Sequence, residues 1–183
     1  IEFGNQLTTI GARAFWRNAI TSLSIPSSVT AIGSSAFNQQ EDNLGTRTLT
    51  SLTFESRTTA LTLGTYAFSN NSISSVSIPA NTITEYAAFE RNTSMSSVTI
   101  GDNSTIGQNS FYGNDNISSL TIGNNVNFSG ADAFSINTFY LPVDLLTSVN
   151  LPSTTTFSGG AVPFRNRQNL TTFTVANGAN SFW

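Results

Sequence analysis

Residues 23–37 read LSIPSSVTAIGSSAF, and this pattern returns along the chain with a period of about 22 residues. Its final phenylalanine has counterparts 21–23 residues apart, except for two intervals of 31 and 30 residues that each contain a short insertion. A fixed period of this size is typical of a solenoid, in which each repeat packs only on its neighbours. The sequence therefore predicts a β-rich solenoid of about seven to eight units. The equivalent phenylalanines are Phe15, Phe37, Phe68, Phe89, Phe111, Phe134 and Phe164.

The first half of each repeat carries the pattern of a strand. Leu23 and Ile25 alternate with small polar residues, and a period of two marks a half-buried strand. The same alternation recurs in every unit, which predicts seven short strands in one parallel sheet and a partial strand at Ile1 and Phe3. Proline ends strand pairing because it has no N–H to donate. It follows the strand in three units, as Pro26, Pro79 and Pro152.

The second half of each repeat reads IGxxAF. Its glycine permits either a tight turn at positive φ or a close approach of neighbouring coils. The alanine leaves room for the phenylalanine ring, so the rings are expected to stack into a continuous spine. These glycines are Gly11, Gly33, Gly64, Gly107 and Gly130.

An amide usually stands three residues after the phenylalanine. Two interpretations remain open: a buried ladder that pairs with the backbone of adjacent coils, or exposed turn-forming side chains. The position holds Asn18, Asn71, Asn92, Asn114 and Asn137, with Gln40 and Arg167 as exceptions.

Together these elements resemble the BspA-like leucine-rich repeats of bacterial and protist surface proteins. The shared pattern is LTSLxIPxxVTxIGxxAFxxN, and it covers essentially the whole chain. The resemblance implies a right-handed solenoid of leucine-rich-repeat type, an extracellular or cell-surface location, and adhesion to proteins or other cells. The chain departs from the family at the position three after the phenylalanine, where the family commonly has cysteine.

Composition excludes several classes of function. The net charge is −3, and the chain has no lysine, histidine or cysteine. Without these residues the usual catalytic bases and thiolate metal ligands are missing, so we expect neither an enzyme nor a metal or other cofactor. The arginines are scattered, which argues against nucleic-acid binding, and no apolar run is long enough for membrane insertion.

Small polar residues flank the second apolar residue of each strand. Stacked coils would arrange them as two uncharged rows with about 4.8 Å between strands. The rows are either simple polar filler or a recognition surface for a protein, with glycan or ice binding as less favoured ligands. Their central members are Ser75, Ser77, Ser97, Thr99, Ser119 and Thr121.

Two insertions, residues 41–48 and 138–145, follow the amide position and should emerge on one flank. Within the second, Phe139, Tyr140 and Leu141 either form a contact patch or pack beneath their own loop.

We thus expect one repeat domain over residues 1–183, a fragment of a longer array because neither end shows a polar cap. Its predicted role is non-enzymatic adhesion to a protein or cell-surface ligand. The alternative is a structural subunit of a surface assembly or fibre, with self-association or contacts to neighbouring repeats.

Overall fold

The computed structural model describes residues 1–137 and 144–176, and in these ranges the chain forms short strands and no helix. Seven of these strands are the ones predicted from the repeat, and the solenoid is confirmed. We call these seven strands, which carry even numbers in chain order, the hydroxyl sheet. They are β2 (Ser22–Ile25), β4 (Ser51–Phe54), β6 (Ser75–Ile78), β8 (Ser97–Ile100), β10 (Ser119–Ile122), β12 (Ser148–Leu151) and β14 (Thr172–Val175).

The odd-numbered strands form a second parallel sheet, whereas the sequence predicts only one. We call it the narrow sheet. All seven of its strands are hydrogen-bonded in the order β1-β3-β5-β7-β9-β11-β13. They are β1 (Thr9–Ile10), β3 (Ala31–Ile32), β5 (Leu61–Leu63), β7 (Thr82–Thr84), β9 (Thr105–Ile106), β11 (Asn127–Phe128) and β13 (Thr156–Phe157).

The partial strand predicted at Ile1 and Phe3 does not form. The ring of Phe3 instead packs edge-on against the first rings of the core, 5.7 Å from Phe15 and 6.3 Å from Phe37 between centroids. Covering those rings removes apolar surface from water, which a strand with no preceding partner would not do.

Proline explains why the hydroxyl sheet divides into the hydrogen-bonded segments β2-β4, β6-β8-β10 and β12-β14. In a paired coil, the residue after the strand donates its N–H to the last strand residue of the preceding coil, as Gly101 does to Ile78 at 2.9 Å. Pro79 and Pro152 hold the equivalent positions after β6 and β12 and have no N–H. Pro79 and Pro152 therefore each follow the first strand of a new segment, and the three strands predicted to end before a proline do end there.

The core is a spine of stacked phenylalanine rings, as predicted. Successive centroids are 4.8–5.6 Å apart and the ring planes differ by at most 14°. The inner rings, from Phe37 to Phe134 in the series, are fully buried, whereas Phe15 and Phe164 at the ends are half-buried. Burial of such a ring contributes about 1.5–3 kcal/mol.

Four of the five repeated glycines serve close packing, Gly11 in the first coil being the exception, and none serves a tight turn. None of the five has a positive φ. A Cβ added at Gly33 would lie 2.5 Å from the backbone nitrogen of Ala12, and one at Gly107 would lie 2.5 Å from the carbonyl oxygen of Thr84. The left-handed backbone falls two residues later, as at Ser35, where φ is 57°.

The buried amide ladder is confirmed. Asn92 donates from Nδ2 to the carbonyls of Phe68 at 2.9 Å and Phe89 at 3.0 Å, and its Oδ1 accepts the N–H of Ile73 at 3.3 Å. The Asn92 amide thus links the phenylalanine carbonyls of two successive coils. Asn18, in the first coil, is the exposed exception. The same bridging pattern is made by Asn71 and Asn114.

The two residues that replace asparagine at this position also bond to a phenylalanine carbonyl of the preceding coil, through longer side chains. Gln40 donates to the carbonyl of Phe15 at 2.5 Å, and Arg167 donates to that of Phe134 at 2.7 Å. Arg167 is buried, and its charge is balanced by Asp144 at 3.1 Å. Burial lowers the pKa of Arg167, while its hydrogen bond to Asp144 opposes that shift.

The glycine packing can be tested with a matched pair of alanine substitutions. Gly33→Ala should lower the free energy of unfolding by about 1–3 kcal/mol or more, because its methyl group would overlap the backbone of the preceding coil. No atom lies within 4 Å of a Cβ at Gly11, so Gly11→Ala should be close to neutral. Urea unfolding of both variants measures the difference, and equal stability of the two would contradict the close-packing role.

The amide ladder has its own matched pair. Asn92→Ala would leave buried backbone groups unpaired and should cost roughly 2–4 kcal/mol, whereas Asn18→Ala at the exposed end should cost less than about 0.5 kcal/mol. Thermal or urea unfolding followed by circular dichroism gives both values. A small loss at Asn92 would mean that the ladder contributes little to stability.

Candidate binding face

The outward face of the hydroxyl sheet carries the two predicted rows. Parallel pairing brings equivalent positions into register within each segment. All of these side chains are exposed except Ser97, which is half-buried. The first row is Ser22, Ser51, Ser75, Ser97, Ser119, Ser148 and Thr172, and the second is Ser24, Thr53, Ser77, Thr99, Thr121, Asn150 and Thr174.

The six central residues predicted to bind come together on one hydrogen-bonded segment, β6-β8-β10. Ser97 lies between Ser75 and Ser119, and Thr99 lies between Ser77 and Thr121. The result is a three-by-two array of hydroxyl groups with no charged member. A hydroxyl both donates and accepts hydrogen bonds, so the array can pair with either kind of polar group.

A different set of hydroxyls holds the coils together. The residue just before each strand donates to the backbone of the preceding coil, as Ser96 does to the Ser74 carbonyl at 3.3 Å and Ser118 does to that of Ser96 at 3.4 Å. Within residues 1–137 and 144–176, the six hydroxyls of the central array make no such bond. They are therefore available to a ligand.

The first insertion forms a small exposed loop beside the coils. Glu41 and Arg47 make an antiparallel bridge, and the tip residue Leu44 is 91% exposed. The hydrogen bond from Arg17 lowers the pKa of Glu41, and backbone N–H donors from Thr46 and Leu44 lower the pKa of Asp42. Both carboxylates thus stabilise the loop in their charged form.

Phe139, Tyr140 and Leu141 lie outside the described residues, so the proposed contact patch remains a prediction.

The carboxyl groups whose pKa is raised by burial are separated from one another. Burial raises the pKa of Glu90 and of Asp115, but these carboxyls lie in different coils. In the described part of the chain, no three acidic side chains come close enough together to hold a metal ion. The described ranges also contain no helix that is long and apolar enough to span a membrane.

The narrow sheet offers a second outward row that sequence reasoning missed. It is only one residue wide, because each of its strands has a single outward position. The sequence signal was the alternation in Leu61–Leu63, but most of these strands have two residues and no detectable period. The outward residues are Thr9, Ala31, Thr62, Ile83, Thr105, Asn127 and Thr156.

Comparison with known proteins agrees with the repeat pattern. The profile of the BspA type leucine rich repeat region matches residues 8–140 in 6 copies. A solved structure of a leucine rich cell surface protein from Faecalibacterium prausnitzii aligns with a TM-score of 0.44 and 18% sequence identity. The alignment covers 98% of this chain but 56% of that protein, so this chain spans about half its length. The curated proteins contain no match.

Proposed function

Because the chain belongs to the BspA-type leucine-rich repeat family, we propose that it is a non-enzymatic binding domain that acts at a cell surface or outside the cell. Its ligand is a protein or another molecule of a cell surface. The chain carries no histidine, lysine or cysteine, which supports a role without catalysis.

The observation that carries the proposal is the central hydroxyl array. Ser75, Ser97 and Ser119 stand in one row, and their hydroxyls are not used to hold the coils together. A rigid array of this kind needs no ordering when a ligand binds, so little conformational entropy is lost. Its lack of charge favours a polar ligand surface that is itself close to neutral.

A structural role is the second candidate. Only 9% of the residues are charged, so electrostatic repulsion between copies is weak and self-association or contact with neighbouring repeats is favoured. Sedimentation of the purified domain separates the two roles, because a stable monomer contradicts a self-assembling fibre. An assay for thermal hysteresis tests the less favoured role in ice binding.

The binding role can be tested on intact cells. The fluorescently labelled domain should bind saturably to the surface of at least one cell type in a panel of bacterial and eukaryotic cells, as measured by flow cytometry. Thr99→Arg places a long charged side chain in the centre of the array and should weaken binding by about tenfold or more.

Thr9→Arg supplies the matched control, because Thr9 is an exposed threonine on the narrow sheet. This variant should bind like the original chain. Equal losses in both variants would show that the effect of arginine is not specific to the array, and saturable binding that survives Thr99→Arg would remove the array from the site.

A further inference from the structure

Every tyrosine and tryptophan of the described ranges lies on one flank of the solenoid, between the two sheets. We call it the turn flank, and it consists of the residues between each narrow-sheet strand and the amide position of the same coil. The strands of both sheets contain no tyrosine and no tryptophan in residues 1–137 and 144–176. The large amphipathic side chains are thus segregated from the hydroxyl array. They are Trp16, Tyr66, Tyr86 and Tyr112.

The three tyrosines occupy three consecutive coils, on a backbone that is hydrogen-bonded from coil to coil. Tyr66 donates its main-chain N–H to the carbonyl of Tyr86 at 3.0 Å. Arg91, in the coil of Tyr86, donates to the carbonyl of Tyr112 at 2.9 Å. The rings of Tyr66 and Tyr86 pack edge to face with centroids 5.4 Å apart, and Asn109 donates to the Tyr86 hydroxyl at 3.2 Å. These two rings are therefore held in place before any ligand binds.

The tyrosine side chains remain accessible to a partner. Tyr86 is 39% exposed, and Tyr66 and Tyr112 are half-buried. Burial raises the pKa of Tyr66 and of Tyr112, which keeps their hydroxyls protonated. Each tyrosine thus offers an apolar ring together with a hydroxyl that can donate a hydrogen bond.

The first insertion extends this surface. Arg47, near the end of the loop formed by residues 41–48, donates to the carbonyl of Arg91 at 2.7 Å. That bond anchors the loop against the coil that carries Tyr86. Leu44 at the tip of the loop is 91% exposed, so contact with a partner would remove its apolar side chain from water.

The charges of the patch leave hydrogen-bond donors for a ligand. Arg91 is paired with Glu90 at 3.5 Å, whereas Arg47 has no carboxylate within 4 Å in the part of the chain that the structure describes. Burial lowers the pKa of Arg47, and the charge of Arg91 lowers it further. A guanidinium group has five N–H donors and no acceptor. The patch therefore favours a ligand that presents carbonyl or carboxylate oxygens.

This composition is typical of a contact surface for another protein. Tyrosine, tryptophan and arginine are enriched at protein interfaces and supply most of the residues that dominate their binding energy. One arginine without an ion pair is too few for the phosphate contacts of a nucleic acid. The patch extends over three coils, about 10 Å at strand spacing, and also includes the loop with its exposed leucine. A protein surface matches that extent and that apolar content better than a short glycan does.

We propose that the turn flank around Tyr86 is a second contact surface, which binds a protein partner that presents hydrogen-bond acceptors beside an apolar site for Leu44. The proposal rests on the function proposed above and names a protein as the class of ligand. The patch consists of Leu44, Arg47, Tyr66, Tyr86, Arg91 and Tyr112.

The chain offers a matched pair of exposed residues for the test. Tyr86 lies on the turn flank, and Ile83, three residues earlier, is 48% exposed on the outward row of the narrow sheet. In the flow-cytometry assay, Tyr86→Ala should weaken binding of the labelled domain to cells by about tenfold or more. Ile83→Ala should bind like the original chain. Circular dichroism of both variants checks that the fold is unchanged.

A second variant tests the contribution of the loop. Leu44→Asp changes a side chain that is almost fully exposed, so it leaves the fold intact and should weaken binding about fivefold or more. A loss in Tyr86→Ala or Leu44→Asp that Ile83→Ala does not share supports the turn flank. Binding that survives both substitutions overturns it.

The class of partner is tested on the cells. Trypsin treatment of the cells should abolish binding of the domain, whereas mild periodate, which cleaves the vicinal diols of glycans, should leave it unchanged. The reverse result would assign the patch to a glycan and overturn the proposal. Sedimentation that detects a dimer of the original chain but only a monomer of Tyr86→Ala would assign the patch to a second copy, with the same consequence.

The two proposals fail separately. If Thr99→Arg abolishes cell binding while Tyr86→Ala and Leu44→Asp bind normally, the turn flank is wrong and the proposed function stands. If no cell type binds the domain, the proposed function itself is wrong, and the turn flank falls with it.

Discussion

Consecutive coils can stack only if the backbone of one coil lies a single strand spacing from the backbone of the next. This spacing is set by main-chain hydrogen bonds such as those from Gly33 to Ile10 and from Phe37 to Ala67, both at 2.8 Å. Flat rings tolerate it because they stack face to face at 4.8–5.6 Å. A Cβ that faces the backbone of the next coil cannot be accommodated at this spacing, so glycine is required at that position. The recurring residues of the repeat are therefore explained by the required distance between coils more than by the strand propensity of each residue.

The same constraint decides how polar groups enter the core. A phenylalanine carbonyl at the turn has no strand partner, and leaving it buried and unpaired would cost about 1–3 kcal/mol. An asparagine amide is long enough to reach the carbonyls of its own coil and the preceding one. In two coils a longer side chain, Gln40 or Arg167, takes the place of the asparagine, and Arg167 then requires Asp144 because an unpaired buried charge is far more costly.

Sequence reasoning succeeded where a residue type recurs in phase. The hydroxyl sheet, the phenylalanine spine and the alignment of Ser75 with Ser97 follow from side-chain periodicity alone. It failed where the determining contact lies between coils: strands of two residues leave no period, so the narrow sheet was missed. The glycine role was left open for the same reason, because the left-handed backbone at Ser35 belongs to a residue with no turn signature. The part of the sequence that contains Phe139 has no copy elsewhere in the chain, so periodicity cannot assign it a role.

The prolines that follow strands of the hydroxyl sheet show how nearly identical repeat units come to differ in structure. A perfectly regular solenoid presents the same surface at every coil and gives a ligand no reason to prefer one position. Pro79 removes a single hydrogen bond and thereby opens β4 from β6, while the narrow sheet on the other side stays continuous through the paired strands β5 and β7. The two sheets thus have separate tasks. Continuous pairing in the narrow sheet maintains the stack, which leaves the hydroxyl sheet able to lose backbone pairing locally without dividing the domain.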